Sequence, residues 1–472
     1  MFKKVLIANR GEVATRVIRA CKELGIQTVA IYSEADVNSL HVKKADEAYL
    51  IHGDPVKAYL NYYKIVDIAK RAGAEAIHPG YGFLSERADF AEYARKQGIE
   101  FIGPSVEHLK VFGSKIEAKK LMKELGVPVA EGSEEPISSL EEAKEIAEKI
   151  GYPVMIKAAH GGGGRGLRVA RNERELVSQF QIAVKEAEAS FGKGEVFIEK
   201  FIENPRHIEI QIVADKHGNV VHLGERDCSL QRRHQKVLEI APSPVLTRRQ
   251  REKLGQICVE AARKIGYYGV GTWEFLMDKY GNFYFMEVNP RLQVEHTITE
   301  EVTGIDIVQE QIRIAAGMGL SFSQKSVQIS GFAMQFRINA EDPKRDFVPV
   351  PGTITAYYSP GGIGVRIDGV VYKGYTIPPY YDSMVAKLIV RGRSWDEVIR
   401  RSRRALGEFV IRGVPTTIPF FKKILNDPEF VKGQFDTSFI DRKIKDFTFI
   451  EETDPEVLAL AISAAIAAHH GL

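Results

Sequence analysis

Glu287-Val288-Asn289-Pro290-Arg291-Leu292-Gln293-Val294-Glu295-His296 is the stretch on which the reading of the fold turns, together with Thr272-Trp273-Glu274-Phe275-Leu276 just upstream. Asp278-Lys279-Tyr280-Gly281-Asn282 lies between them and carries turn chemistry, with Gly281 suited to a left-handed position. Both flanks are rich in aromatic and β-compatible residues, so the segment reads as a β-hairpin. With Lys279 to Asn282 as the loop, Glu274 and Glu287 face each other across the two strands. Like charges directly opposed destabilise a sheet. A hard divalent cation held between the two carboxylates reverses that sign. Asn289 shares the face of Glu287, as the strand period requires. Taken alone, the hairpin reads more plainly as two solvated carboxylates, because charged side chains are mostly exposed.

The totals bound the rest. The chain has 472 residues, 44% hydrophobic and 27% charged, a globular composition long enough for about three domains. A net charge of +3 implies no broad attraction to nucleic acid or to a membrane surface. Cys21, Cys228 and Cys258 are odd in number and widely spaced, which suits a reducing cytoplasm and gives neither a disulfide framework nor a zinc site. The apolar run near the start, Val5 to Ala8, is too short for a secretory signal, and no run reaches transmembrane length.

Val5-Leu6-Ile7-Ala8 reads as a buried strand, Val13, Val17, Cys21 and Leu24 as a helix ended by Gly25, and Thr28 to Tyr32 as the next strand. This βαβ opening implies a parallel, doubly wound sheet. Its first loop, Asn9-Arg10-Gly11-Glu12, lacks the dinucleotide fingerprint. Ala76-Ile77-His78-Pro79-Gly80-Tyr81-Gly82 ends a strand in a Pro/Gly-rich loop, at the edge where such sheets place ligands. A shaped turn packing on the next domain explains that loop, His78 included, at least as well.

Ser139-Leu140-Glu141-Glu142 opens a helix to about Ile150, and Val154-Met155-Ile156-Lys157 is a short strand. His160-Gly161-Gly162-Gly163-Gly164-Arg165-Gly166 follows, then strand-like Leu167-Arg168-Val169. Consecutive glycines are entropically costly and make sense where backbone N–H groups approach an anion. The loop joins two strands and lacks Gly-Lys-Ser/Thr, so it reads as a flap over phosphates rather than a P-loop; the bland alternative is a linker. Glu199-Lys200 interrupts an otherwise apolar strand and suits adenine recognition or a surface ion pair equally. Arg206 to Ile212 alternates, with His207, Glu209 and Gln211 on one face and isoleucines on the other. The cluster Glu225 to Lys236 is too short, and too poor in aromatics, for nucleic acid; a small anion explains it better.

Lys157 with the glycine loop, Arg206 to Gln211, Glu225 to Lys236 and Glu287 to His296 together resemble the biotin carboxylases of the ATP-grasp superfamily. The resemblance extends from Asn9-Arg10-Gly11-Glu12 to beyond Asp382-Ser383-Met384; His160, where many members have a fifth glycine, is a departure at the hinge of the flap. It implies an α/β and α+β fold: an N-terminal doubly wound parallel-sheet domain over 1–114, an ATP-grasp domain over 115–330, a C-terminal α+β lobe over 331–446 and a helical tail over 447–472. The ATP-grasp part would include a mobile glycine-rich lid at about 130–202.

By the same resemblance ATP would be held by Lys115, Lys157, Gly162, Gly163, Gly164, Glu199, Lys200, His207, Gln231, His234 and Leu276, and Mg2+ or Mn2+ by Glu274, Glu287 and Asn289. Bicarbonate would bind Lys236, Arg291, Gln293 and Val294, with Glu295 as general base and Arg337 stabilising the biotin enolate. The family's partners are a biotin carboxyl carrier protein or a biotinylated carboxyltransferase subunit, and its usual state is a homodimer. The biotin-carrying sequence Ala-Met-Lys-Met is absent, and Met122-Lys123 sits in a helical pattern, so the acceptor biotin is expected on another protein. Another ATP-grasp ligase, of carbamoyl-phosphate or purine-pathway type, is the nearest rival, although a carbamoyl synthase would repeat the grasp pattern. A nucleotide sensor without turnover is a rival from another class.

From Gly331 the chain reads as short strands with turns at Pro349 to Gly352 and Ser359 to Gly362, then helices from Trp395 and Thr416, a separate lobe closing the cleft. Asp382 would support the arginine region or pair at an interface. Ala459 to Ala468 is an apolar helical run expected to dock on the body or on a partner. Phe435 to Asp441 leans slightly toward pyruvate-type carboxylases; 2-oxoglutarate, acetyl-CoA and propionyl-CoA remain as final acceptors.

Overall fold

The computed structural model describes residues 1–137, 139–158, 167–191, 194–447, 449 and 455–470. The opening hundred residues form a five-stranded, all-parallel sheet, ordered Glu47–Leu50, Gln27–Tyr32, Lys4–Ile7, Ala76–His78, Glu100–Phe101. Helix Gly11–Glu23 buries Val13, Val17 and Cys21 as the spacing requires, and Gly25 follows it at φ +71°. Chain order reverses between Lys4–Ile7 and Ala76–His78, the switch point where open α/β sheets hold ligands. The two loops leaving those strands are locked together: Asn9 Nδ2 donates to the Pro79 and Tyr81 carbonyls at 2.8 Å each. Gly80, at φ +64°, lets that contact form, since a Cβ there would lie 2.8 Å from Asn9 Nδ2.

Three antiparallel strands, Leu167–Ala170, Val154–Ala158 and Val196–Lys200, carry helices Leu140–Ile150 and Glu173–Phe191 around their own small core of Ile137, Ala143, Leu176 and Ile198. Ser139 caps the first helix by accepting from the Glu142 amide.

The site rests on an antiparallel eight-stranded sheet, ordered Phe283–Asn289, Gly269–Met277, Arg206–Ala214, Val220–Arg232, Gln235–Ala241, Phe332–Asn339, Met384–Gly392, Val365–Gly369. One face packs Ile208, Ile210, Ile212, Trp273 and Phe275 against helix Arg248–Lys264. The lobe from Gly331 onward has its own core, including Phe336, Leu388 and Phe421, yet it is not detached. Strand Phe332–Asn339 pairs with Gln235–Ala241, Leu238 opposite Phe336, so the sheet runs through both regions. Helix Pro455–His469 carries the apolar tail; Leu460, Ile462 and Ile466 face solvent, so these side chains do not dock on the body. Among the described residues no helix is long and apolar enough to cross a membrane.

Candidate active site

The second face of the eight-stranded sheet carries the polar side chains. Every residue of Arg206–Ala214 is buried, so His207, Glu209 and Gln211 point into a closed interior rather than into water. Across the ladder Glu209 stands opposite Glu274, and Glu274 opposite Glu287. Three carboxylates in a row would drive the strands apart. Cations reverse this: Lys236 Nζ lies 2.6 Å from Glu209, 3.1 Å from Glu274 and 2.8 Å from Glu295. Arg226 pairs with Glu209 from the next strand, and Lys115 Nζ reaches Glu287 at 2.8 Å.

Glu274 is fixed by four donors: His207 Nε2 at 2.7 Å, Asn289 Nδ2 at 2.7 Å, Gln293 Nε2 at 3.2 Å and Lys236. Gln231 Nε2 donates to His207 Nδ1 at 2.9 Å, which leaves the proton on Nε2 facing Glu274. Burial pushes the Glu274 carboxyl up, but Lys236 and His207 outweigh it and hold it well below the usual range.

Glu295 sits just before helix His296–Thr303. Its Oε1 takes Lys236 and its Oε2 takes Arg337 at 3.1 Å. Burial again acts upward and is overcome by Lys236, Arg337 and Arg226, so this carboxyl is lowered. Arg337 also donates to Glu239 Oε1 at 2.5 Å, where burial wins and the carboxyl is raised. Glu209, Lys236, Glu295, Arg337 and Glu239 therefore form one line of alternating charge. Lys236, Val294 and Arg337 open from it into a cavity of about 600 Å³, walled opposite by Arg10 and Tyr81 of the parallel-sheet domain and by Tyr381.

Arg291 is steered by Asn289 Oδ1 at 3.0 Å, Gln293 Oε1 at 3.1 Å and Glu86 at 3.3 Å. On strand Val196–Lys200, Glu199 takes Lys157 and, at 2.6 Å, Lys119. Burial raises the Glu199 carboxyl, yet the two lysines bring it down to about 2. Lys200 turns its ammonium away, onto the Gly151 and Tyr152 carbonyls at 2.9 Å, so only its backbone remains for a ligand. Leu276 is half-buried opposite His207. His234 stands exposed at the hairpin tip, at φ +63°, apart from the cluster. His160, Gly162, Gly163, Gly164 and Arg165 lie outside the described residues.

Asp382 forms no hydrogen bond to the arginine region among the described residues. It is exposed and accepts from the Met384 amide at 2.8 Å, capping its own turn. His78 is a turn residue, its Nδ1 accepting from Gly80 N at 3.0 Å and its Nε2 facing Gln311 at 3.0 Å.

Glu274 and Glu287 are hard oxygen donors on facing strands and fit a divalent cation. Asn289 turns its amide nitrogen to Glu274 and its oxygen to Arg291, so serving as a ligand requires that amide to reverse. Among the described residues, the acid and histidine groups close enough to share an ion also include Glu209 and His207 around Glu274. Sequence reasoning passed over Lys119 and Glu239, and gave Arg226 no role of its own within the cluster Glu225 to Lys236. Glu239 had one available signal, a carboxylate inside the apolar strand Val237 to Ala241.

Three family models match the chain: the biotin carboxylase N-terminal domain over residues 1–109, the carbamoyl-phosphate synthase L chain ATP-binding domain over 114–323, and the biotin carboxylase C-terminal domain over 335–442. The chain is 54% identical over 472 residues to the 2-oxoglutarate carboxylase small subunit of Hydrogenobacter thermophilus, covering 100% of both. It is 55% identical over 446 residues to a biotin carboxylase of Nostoc, covering 94% of this chain and 100% of that one. A crystal structure of the biotin carboxylase domain dimer of the Hydrogenobacter thermophilus enzyme, in complex with MgADP, ADP and bicarbonate, superposes with a TM-score of 0.90 at 54% identity, covering 96% of this chain and 100% of that one.

Proposed function

Because the chain belongs to the biotin carboxylase family, we infer that it carboxylates biotin held on a partner protein, using ATP and bicarbonate. The observation that carries this reading is the alternating line from Glu209 to Glu239, which opens at Lys236 and Arg337 into the cavity.

In this reading Lys236 and Arg291, with Gln293 and the Val294 amide, hold bicarbonate. Lys115, Lys157 and the glycine flap hold the ATP phosphates, and Glu199, Lys200 and Leu276 surround the adenine with His207, Gln231 and His234 nearby. Glu274, Glu287 and Asn289 would hold Mg2+ or Mn2+, which supplies positive charge to the phosphate oxygens. Holding bicarbonate in line with the γ-phosphate favours carboxyphosphate, and a flap that excludes water protects it. Glu295 then needs to accept the biotin N1′ proton. Bound by Lys236 and Arg337, its carboxylate is ionised but weakly basic. Once ADP has left and carboxyphosphate has broken to CO2 and phosphate, the phosphate at Lys236 draws that ammonium away, which raises the proton affinity of Glu295 as biotin N1′ gives up its proton and attacks CO2. Arg337 is left to stabilise the enolate oxygen of biotin.

The same reading makes the protein one subunit of a multi-subunit carboxylase, a homodimer that works in the cytoplasm on a carrier protein or a biotinylated carboxyltransferase subunit. The test is ATP cleavage with and without bicarbonate and free biotin, in wild type and in Arg337→Ala. Cleavage should require bicarbonate and rise with biotin. Arg337→Ala should lose carboxybiotin formation by roughly 10²-fold while ATP affinity stays within about twofold. Equal loss of both in the variant, or bicarbonate-independent cleavage in wild type, would count against the assignment.

A further inference from the structure

Lys387 is fully buried in strand Met384–Gly392, with Arg337 and Asp368 as its cross-strand neighbours. A buried ammonium is strongly unfavourable unless paired and hydrogen-bonded. Its partners come from two distant places. Nζ lies 3.0 Å from Glu12 Oε2, in the first turn of helix Gly11–Glu23. It also donates to the Val294 carbonyl at 3.0 Å. The Tyr81 ring lies 5.7 Å away. Glu12 is itself buried, and at 3.0 Å the Lys387 ammonium is its direct counter-charge. Burial pushes the Glu12 carboxyl up and outweighs Lys387, the strongest influence against it, so the group stays raised and depends on Lys387 for its charge.

The place where this pair ends is informative. The Val294 carbonyl belongs to the peptide that continues into Glu295. Its direction sets how the Glu295 side chain leaves the backbone and constrains the neighbouring peptide, which carries the Val294 amide. Among the described residues, the Glu12 and Lys387 side chains form no hydrogen bond or ion pair with the side chains of Lys236, Glu295 or Arg337. The Val294 carbonyl is their hydrogen-bonded route to the anion loop; Glu12 also lines the cavity, and Lys387 stands opposite Arg337 in the ladder.

We propose that the buried Lys387–Glu12 pair is a positioning device for the anion loop. It clamps the Val294–Glu295 peptide from the first helix of the parallel-sheet domain and from the far strand of the large sheet together. It thereby sets bicarbonate affinity and the aim of Glu295. The proposal rests on the site being bicarbonate-dependent, as argued above.

Three full-length variants test it: Lys387→Met, which keeps the volume and removes the charge, Glu12→Gln, and the double variant. Melting temperature and the KM values for bicarbonate and ATP are measured on each, in bicarbonate-dependent ATP cleavage. Lys387→Met should raise the bicarbonate KM roughly tenfold or more, since small misplacements near reacting groups are costly, with the ATP KM within about twofold. Glu12→Gln, which keeps the bond to Val294, should raise it less, about threefold. The double variant strands no charge and should regain melting temperature while keeping the high bicarbonate KM.

A purely structural pair predicts instead that KM recovers together with melting temperature, and that result overturns the proposal. So does an unaltered bicarbonate KM in Lys387→Met. If Lys387→Met does not fold, the double variant decides by the same criterion. Bicarbonate-independent cleavage in wild type is a distinct failure, because it removes the functional reading before any variant is compared.

Discussion

The cluster around Lys236 and the cluster around Glu199 use the same chemistry with opposite arrangement. In the large sheet one ammonium serves three carboxylates, and its side chain is 14% exposed. At Glu199 one carboxylate serves two ammoniums, one from strand Val154–Ala158 and one from helix Lys115–Glu124, and the Lys157 side chain is 39% exposed. The sheet cluster is held by backbone ladders and cannot part without stranding buried charge. The cluster at Glu199 joins two pieces of chain through more exposed cations, Lys157 at 39% and Lys119 at 25%, so losing one of them costs less. In the proposed reading, fixed charge stands where a small anion would be placed to a fraction of an ångström, and more exposed charge where a nucleotide would enter.

Lys236→Met breaks the first cluster and should have the largest effect. Glu209, Glu274 and Glu295 would lose their shared ammonium, a loss of about 3 kcal/mol of stability by analogy with broken buried pairs. Bicarbonate-dependent turnover should fall roughly 10³-fold. Urea midpoints and steady-state kcat/KM check the two parts. A variant keeping more than about a tenth of wild-type turnover would mean that Lys236 is not the anion's principal anchor.

Lys157→Ala breaks the second cluster only partly, because Lys119 still holds Glu199. Stability should change by less than about 1 kcal/mol, as for other half-exposed pairs. The ATP KM should rise roughly tenfold and kcat should change less, the signature of lost uniform binding. A stability loss as large as that of Lys236→Met would erase the distinction between the two clusters.

The same contrast governs what could be read from sequence. Facing of Glu274 and Glu287 was legible because strand period carries a count outward from a turn. The count held through a compensation, however. The turn closes one residue earlier, with the Asp278 amide bonded to the Asn282 carbonyl, and a bulge at Met286 restores the register at Glu274. Polar residues on alternating strands, such as His207 and Glu209, were legible for the same reason. Pairings that leave no period were not. Lys119 meets Glu199 across 80 positions and Glu239 meets Arg337 across 98. The continuity of the large sheet into the last third was hidden likewise, since nothing within Phe332–Asn339 names Gln235–Ala241 as its neighbour.

The smallest expected effect lies in the parallel-sheet domain, and pH separates it from both clusters. His78 is buried and pushed down to about 4, with Gln311 opposing and Arg16 assisting. In the unfolded chain a histidine takes its proton near pH 6.5. Between roughly pH 6.5 and 4 the unfolded state therefore binds a proton that the folded state does not, and stability is lost as pH falls through that window. Glu274, Glu295 and Glu199 are lowered instead, so their contributions stay intact until pH drops below the ordinary carboxylate range. Glu209 and Glu239 are raised and act with the opposite sign, but equally in wild type and in a His78→Gln variant. The difference between the two proteins isolates His78. From pH 7 to pH 6 wild type should lose about 0.7 kcal/mol more than His78→Gln, read from urea midpoints at the two pH values. Identical losses would mean that His78 takes up its proton in the folded state as readily as in the unfolded chain, and that the turn at Pro79 to Gly82 admits water.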